Sequence, residues 1–340
     1  MDELVGQAVE GQAYVVGGAV RDELLGRDVV DLDIACADPE RTARAYAQAA
    51  GGAVFPLSER HGAWRVAFRS GRTVDFTPLR EGIEADLASR DFTINAIASP
   101  VGGGEHVDPH GGRGDLEAGV LRAVSPTVFT DDPLRLLRAA RLEDELGFRL
   151  DEPTERLVRE HAGLVTKPAG ERTLGELERL SPAGFRRAED LGLLAPLGGS
   201  TERLDRADPS ASPALLLALV FGDEIERFPI SNELRRFART LRAASRPEDG
   251  SPRSIHRFRR ATEPWALEAL AFLDAGDLVD AVLDARAADP GEPLLRGDEL
   301  GVAPGPEVGR LLELIEEERA AGTLSTREEA LELVRRELGR

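Results

Sequence analysis

The rhythm of apolar and polar positions changes partway along this chain. Between about 10 and 110, short apolar or alternating runs recur at 13–18 (AYVVGG), 31–36 (DLDIAC), 63–68 (AWRVAF) and 73–78 (TVDFTP). Their length and alternation predict strands. Between them, 19–26 and 39–51 carry apolar residues at helical spacing, and the second opens on Pro39 and closes on Gly51. The segment 87–99 (LASRDFTINAIAS) predicts a helix with some strand character around FTI. Beyond Asp131 the periodicity becomes helical and stays so to the final TREEALELVRREL, broken by Gly and Pro, with no internal repeat. The pattern predicts an α+β chain, with a mixed α/β head followed by an all-α remainder. Divisions fall near 120, 180 and 290, giving a head (1–120), neck (121–180), body (181–290) and tail (291–340).

Length and composition narrow the class. A chain of 340 residues can build two or three packed units. No apolar run approaches the roughly 18 residues of a spanning helix, and MDELVGQAVEGQ lacks the basic start of a secretory signal. The single cysteine, Cys36, allows no disulfide within the chain, so a reducing cytoplasmic address is expected and no membrane partner. The net charge of −19 argues against a polyanionic partner, but a sum does not describe a surface. Lys167 is the sole lysine, and between 233 and 260 nine arginines face three acids. Arg235, Arg239 and Arg242 share a helical face, with Arg257, Arg259 and Arg260 following after a loop. This patch is the expected contact for RNA phosphates.

Three constellations carry candidate chemistry. GGAVRD (17–22) precedes DLD (31–33), and on a strand Asp31 and Asp33 would face one way roughly 6–7 Å apart. Such a pair suits divalent cations for phosphoryl transfer, and Asp75 could add a third carboxylate from a later strand. Gly17 and Gly18, at a strand-to-helix turn, would admit a triphosphate close to the backbone. In SRDFTINAIA, Arg90, Asp91 and Asn95 could meet ribose hydroxyls and phosphate oxygens. In DDPLRLLRAAR (131–141), Pro133 suits an early helical position, Asp132 and Arg135 share a face, and Arg138 and Arg141 continue it.

Together with DPHGGRGDLEAGVLR (108–122) and ERTLGEL (171–177), these stretches resemble the class II tRNA nucleotidyltransferases (CCA-adding enzymes) and bacterial poly(A) polymerases. The motifs follow the family's order and cover about half the chain, from 13 to 180. A weaker match lies at 297–315. The resemblance implies a small mixed-sheet, polymerase-beta-like head with a helical neck, body and tail. It implies Asp31 and Asp33 as catalytic metal ligands for two Mg²⁺ ions, with Asp75 as an acidic neighbour. Gly17, Gly18 and Arg21 would meet the triphosphate, Arg90 and Asp91 the ribose, and Asn95 the phosphates. Asp132 and Arg135 would read the incoming base, and Arg138 and Arg141 would support the triphosphate. The base-reading role also follows from chemistry. Cytosine and adenine present an amine donor beside a ring-nitrogen acceptor, matching a carboxylate and a guanidinium, whereas guanine and uracil present the reverse.

The implied activity is template-independent transfer of CMP and/or AMP from CTP and ATP to the 3′ end of tRNA. The chain departs from the family in one place. Only EGIEADLAS separates Arg80 from Arg90, where many CCA-adding relatives carry a longer loop. This shortness resembles CC-adding members, which leave the terminal A to a separate A-adding enzyme. A poly(A) polymerase is the alternative reading, and a catalytically silent RNA-binding relative the less favoured one.

Overall fold

A computed structural model describes residues 3–58, 61–289 and 291–339. They divide into two compact units, 1–197 and 198–340. The finer divisions near 120 and 290 fall inside these units.

The first unit opens with α1 (Glu3–Ala8), β1 (Ala13–Val16), α2 (Gly18–Leu24), β2 (Leu32–Cys36) and α3 (Pro39–Ala50). There follow β3 (Ala53–Ser58), β4 (Ala63–Ala67), β5 (Thr73–Pro78), α4 (Ile83–Ala88) and β6 (Ala98–Pro100). The six strands form one mixed sheet, in the order β3-β4-β5-β2-β1-β6. Its only parallel pair is β2 with β5, which sets Asp33 beside Asp75. Antiparallel pairing with β1 sets Val16 beside Asp33, so the turn leaving β1 opens next to that carboxylate. Helix α3 forms where expected. Asp38 accepts from the Arg41 N–H, Pro39 occupies the first turn, and Gly51 takes the left-handed closing position at φ 79°. Its buried face, Ala43, Tyr46 and Ala47, covers the sheet. Strand β3 was not foreseen, because Pro56 interrupts its pattern. An edge strand tolerates such a residue, and the pairing with β4 shifts register just after it.

The expected helix over 87–99 is not there. Asp91 accepts from its neighbour's N–H at Phe92 and from the Asn95 amide, an alternative to helical bonding. Only a single 3₁₀ turn, Thr93–Asn95, follows before β6 pairs with β1. Phe92, Ile94, Ala96, Ile97 and Ala98 are all fully buried, so the segment has no polar face to display helical periodicity.

The unit continues with α5 (Gly112–Ala118), β7 (Val120–Leu121), α6 (Val128–Asp131), α7 (Arg135–Leu146) and β8 (Arg149–Leu150). Helices α8 (Glu152–His161), α9 (Gly170–Leu177) and α10 (Pro182–Asp190) complete it. The all-α expectation beyond Asp131 is corrected by β8, which pairs in parallel with β7. Two residues are too few to show alternation. Pro133 also lies outside a helix, in the link between α6 and α7. Buried Glu143 on α7 accepts from the Leu150 N–H and from Arg187, joining α7 to β8 and α10.

The second unit is helical: α11 (Pro213–Phe221), α12 (Asn232–Ala243), α13 (Pro252–Thr262), α14 (Ala266–Phe272), α15 (Val279–Ala287), α16 (Pro306–Ala320) and α17 (Arg327–Glu337). Helix α11 is apolar on every side and buried from Leu215 to Phe221, as a central helix must be. Leu311 and Ile315 of α16 pack with Ala330, Leu333 and Val334 of α17 in a separate core. No helix among the described residues is long and apolar enough to cross a membrane.

Gly112 is a point of close approach: a Cβ there would lie 2.1 Å from the Thr93 carbonyl oxygen. Gly112→Ala should therefore cost about 2–3 kcal/mol and lower Tm by roughly 5–10 °C. Calorimetry showing an unchanged Tm would mean that α5 moves aside freely.

Candidate active site

The chemistry-bearing residues of the first unit converge on a cleft of about 510 Å³. It is lined by Gly17 and Gly18 from the β1–α2 turn, Arg21 from α2, and Asp33 from β2. Arg90, Asp91 and Asn95 come from the buried segment before β6, and Asp132, Arg135, Arg138 and Arg141 from the start of α7 and the link before it. Asp86, Arg172 and Arg179 also line it, and sequence reasoning gave them no role. Seven arginines face four aspartates across this space, in a chain whose net charge is −19. The cleft suits a multiply charged anion.

Asp91 is the hinge of the arrangement. It is 5% exposed and accepts from the Phe92 N–H at 2.8 Å, the Asn95 amide at 2.9 Å and Arg138 Nε at 2.8 Å. Burial alone would raise its pKa. The Arg138 charge, the Asn95 amide and the Phe92 N–H together hold it below the usual carboxylate range. Asn95 in turn accepts from Arg21 Nη1 at 2.8 Å, so one chain of contacts runs from α2 to α7. Arg141 is buried and bound to Glu176 and Glu145, so its charge is already committed within the protein.

The expected base-reading pair does not share a helical face. Asp132 caps the end of α6 in an extended conformation, and Arg135 begins α7. Asp132 accepts from the Leu134 N–H at 3.2 Å and from Arg172 Nη2 at 2.7 Å. Arg135 donates to the carbonyls of Ser89, at 2.6 Å, and Val128, at 3.3 Å. Both still line the cleft. The 40 positions between Asp132 and Arg172 explain why no local spacing revealed the second residue.

The carboxylates also depart from expectation. Asp31 lies one residue before β2, and its Oδ1 accepts from the Thr73 N–H and hydroxyl at 2.8 and 2.9 Å. Asp75 is held by Arg65. Asp33 is thus the member of the trio that lines the cleft. Its pKa is raised, chiefly by the protein mass around it, with Asp75 and Asp31 adding to the effect and Arg90 opposing it. Gly17 is required beside it. Its φ is 73°, and a Cβ would lie 2.8 Å from Arg90 Nη1 and 3.4 Å from Asp33 Oδ2.

The six arginines expected to meet RNA fall on α12 and α13, and four of them face acids. Arg239 and Arg242 bind Glu226, whose pKa is pulled down to about 2. Arg257 binds Glu317, and Arg259 binds Glu263 and Asp289. Arg235 donates to Asn232, and Arg260 lines a cavity with His256 and Glu263.

Comparison with known proteins follows this geometry. The family described as the poly A polymerase head domain matches residues 13–82 and 65–122. The A-adding tRNA nucleotidyltransferase of Deinococcus radiodurans is 34% identical over 95% of this chain and 95% of its own length. The chain belongs to the tRNA nucleotidyltransferase family. The CC-adding tRNA nucleotidyltransferase of Thermus thermophilus is 32% identical, covering 94% of this chain and 92% of itself. The Thermotoga maritima CCA-adding enzyme, solved in complex with tRNA, shares the fold at a TM-score of 0.76 and 24% identity, over 99% of this chain and 98% of that one.

Members of the tRNA nucleotidyltransferase family generally use divalent metals. The donors here fit such ions: carboxylate oxygens, one of them open to the cleft and beside a residue without a Cβ. Among the described residues no three acidic, His or Cys side chains close on a single point.

Asp91→Asn leaves Arg138 facing a neutral partner and should cost about 2–3 kcal/mol at pH 7. This is below the usual penalty for breaking a buried pair, because Arg138 remains a third exposed. A depressed folded pKa means that the wild-type advantage is complete above the unfolded value of about 3.9 and shrinks as pH falls through the folded one. Urea titrations should therefore show a gap at pH 7 that narrows only below about pH 4. A gap independent of pH would assign the loss to packing.

Proposed function

We propose that this chain adds nucleotides to the 3′ end of tRNA without a template, taking CMP and/or AMP from CTP and ATP. The observation that carries the reading is the cleft itself. Asp33 lies in the same space as an arginine-lined wall and the Asp132–Arg135 pair. A- and CC-adding relatives that match nearly the whole length support it.

Within the cleft, Arg21, Arg90 and Arg138 offer donors to the triphosphate, held in place by Asn95, Asp86 and Asp91 respectively. Arg141, bound by two glutamates, supports this wall from beneath. Asp132 accepts from the exocyclic amine of cytosine or adenine, and Arg135 donates to the adjacent ring nitrogen. To do so each must share or leave its present partner, Arg172 for Asp132 and the Ser89 and Val128 carbonyls for Arg135. Asp33 and Asp31 would hold the divalent ions, two Mg²⁺ in our reading, which would activate the acceptor hydroxyl and neutralise the leaving pyrophosphate. The α-phosphate is attacked by the acceptor's terminal 3′ hydroxyl, and no covalent enzyme intermediate forms. The arginines of α12 and α13 meet RNA phosphates: Arg239, Arg242, Arg257 and Arg259 exchange acidic side chains for them, and Arg235 and Arg260 add to the same surface. The division into catalytic head, base-reading neck, RNA-binding body and tail belongs to the same reading, as does a cytoplasmic location.

The segment between β5 and Arg90 supports addition limited to CC. It holds α4, whose Asp86 binds Arg90 at 2.9 Å, with only four residues between β5 and α4. A separate A-adding enzyme would then finish the same tRNA. Extension of tRNA transcripts ending at the discriminator base, at C and at CC, resolved to single nucleotides, tests this directly. The expected products gain C until CC is reached and gain no G or U. Completion to CCA would remove the CC-only limit, a long A tail would support a poly(A) polymerase, and RNA binding without any extension would favour the silent relative.

A further inference from the structure

Three neighbouring strands carry Arg65, Asp75 and Asp33 in one row. Arg65 of β4 is the register partner of Asp75 of β5, which is the partner of Asp33 of β2. Directly opposed residues share a face of the sheet with Cβ atoms about 5 Å apart. The contact is a two-pronged fork, Nε to Oδ1 at 2.6 Å and Nη2 to Oδ2 at 2.7 Å, so both oxygens of Asp75 are engaged. Such bidentate pairs are directional as well as strong. Asp31, one residue before β2, has its Oδ1 bound at the start of β5 by Thr73. The two acids flanking Asp33 are therefore each engaged by another partner, Asp75 by Arg65 and Asp31 by Thr73.

We propose that Arg65 is a positioning residue of this site, which keeps Asp75 in its fork so that the carboxylate row does not close on a divalent cation before a triphosphate arrives. The proposal rests on the cleft being the nucleotidyl-transfer site. Without Arg65 the row would carry one more uncompensated negative charge, and Asp75 would be free to turn toward Asp33. A charge that close to a doubly charged ion is worth at least about tenfold in affinity, even in a water-screened cleft. With Arg65 in place, cation affinity depends on oxygens brought by the nucleotide, which couples ion binding to substrate binding. The competing account makes the pair a register pin between β4 and β5. A pin would alter stability and leave ion affinity alone.

The test is titration of the full chain with Mn²⁺ alone, free ion being read by electron paramagnetic resonance, with thermal melts in parallel. Arg65→Gln should bind Mn²⁺ at least about tenfold more tightly than wild type. Arg65→Gln combined with Asp75→Asn should return to within about twofold of wild type. Arg65→Lys keeps the charge without the fork and should lie between, roughly two- to fourfold tighter, and it answers the question if the glutamine variant does not fold. The magnesium concentration giving half-maximal activity should fall in Arg65→Gln, with the KM for CTP at saturating magnesium nearly unchanged. Wild-type Mn²⁺ affinity in both single variants, with lowered melting temperatures, would overturn the proposal and leave a pin. Asp33→Asn in the Arg65→Gln background separates the two readings. If the added Mn²⁺ binding disappears, the ion sits in the cleft whatever Arg65 does. If it persists, the ion sits elsewhere, and the site reading fails along with the proposal.

Discussion

A single buried carboxylate holds the candidate site together. Asp91 binds the start of its own turn through Phe92, reaches α2 through Asn95 and Arg21, and reaches α7 through Arg138. Burying a charge is costly unless it is paired and hydrogen-bonded, and Asp91 is both. The same side chain prevents 92–95 from becoming a helix and positions the helix that carries the arginine wall. Contacts continue from Arg138 toward Glu176, which also binds Arg141, and through Glu145 to Arg179. The wall is thus cross-braced by acids behind it, while its open side stays basic.

Charge is sorted by place. An acidic chain concentrates arginine over aspartate in one cleft of its first unit, and there the excess has a ligand to meet. In the second unit Arg239 and Arg242 of α12 and Arg257 and Arg259 of α13 are balanced by glutamates and aspartates brought from elsewhere in the fold. A run of arginines in sequence marks a basic surface only if its spatial neighbours are not acidic. Here Glu226 and Glu317 engage Arg239, Arg242 and Arg257, partners that RNA phosphates would have to displace.

Local motifs were legible and long-range pairings were not. The strands at 13–16, 32–36, 63–67 and 73–78 announced themselves by alternation, and α3 by its Pro, Gly and cap. DLD, RDFTIN and DDPLR were visible as short polar insertions in apolar context, and most of their side chains do share one cleft. What failed depended on tertiary contact. The fully buried 92–98 segment carried no periodicity to read, and two-residue β8 was too short for a pattern. The row Arg65–Asp75–Asp33 and the pair Asp132–Arg172 come from residues between 10 and 42 positions apart, joined only by the sheet and by helix packing. The DxD spacing put Asp31 and Asp33 on one strand face, whereas Asp31 lies one residue before the strand.

The central claim is that Asp132 and Arg135, set in place by the Asp91 frame, read the nucleobase. Competition of the four ribonucleoside triphosphates against labelled CTP, without RNA, tests it most directly. The account predicts that CTP and ATP compete at least about tenfold better than GTP and UTP, and that Asp132→Ala reduces this preference. Four equal competitors on the wild-type protein would contradict it, and the cleft would then hold phosphates without reading bases.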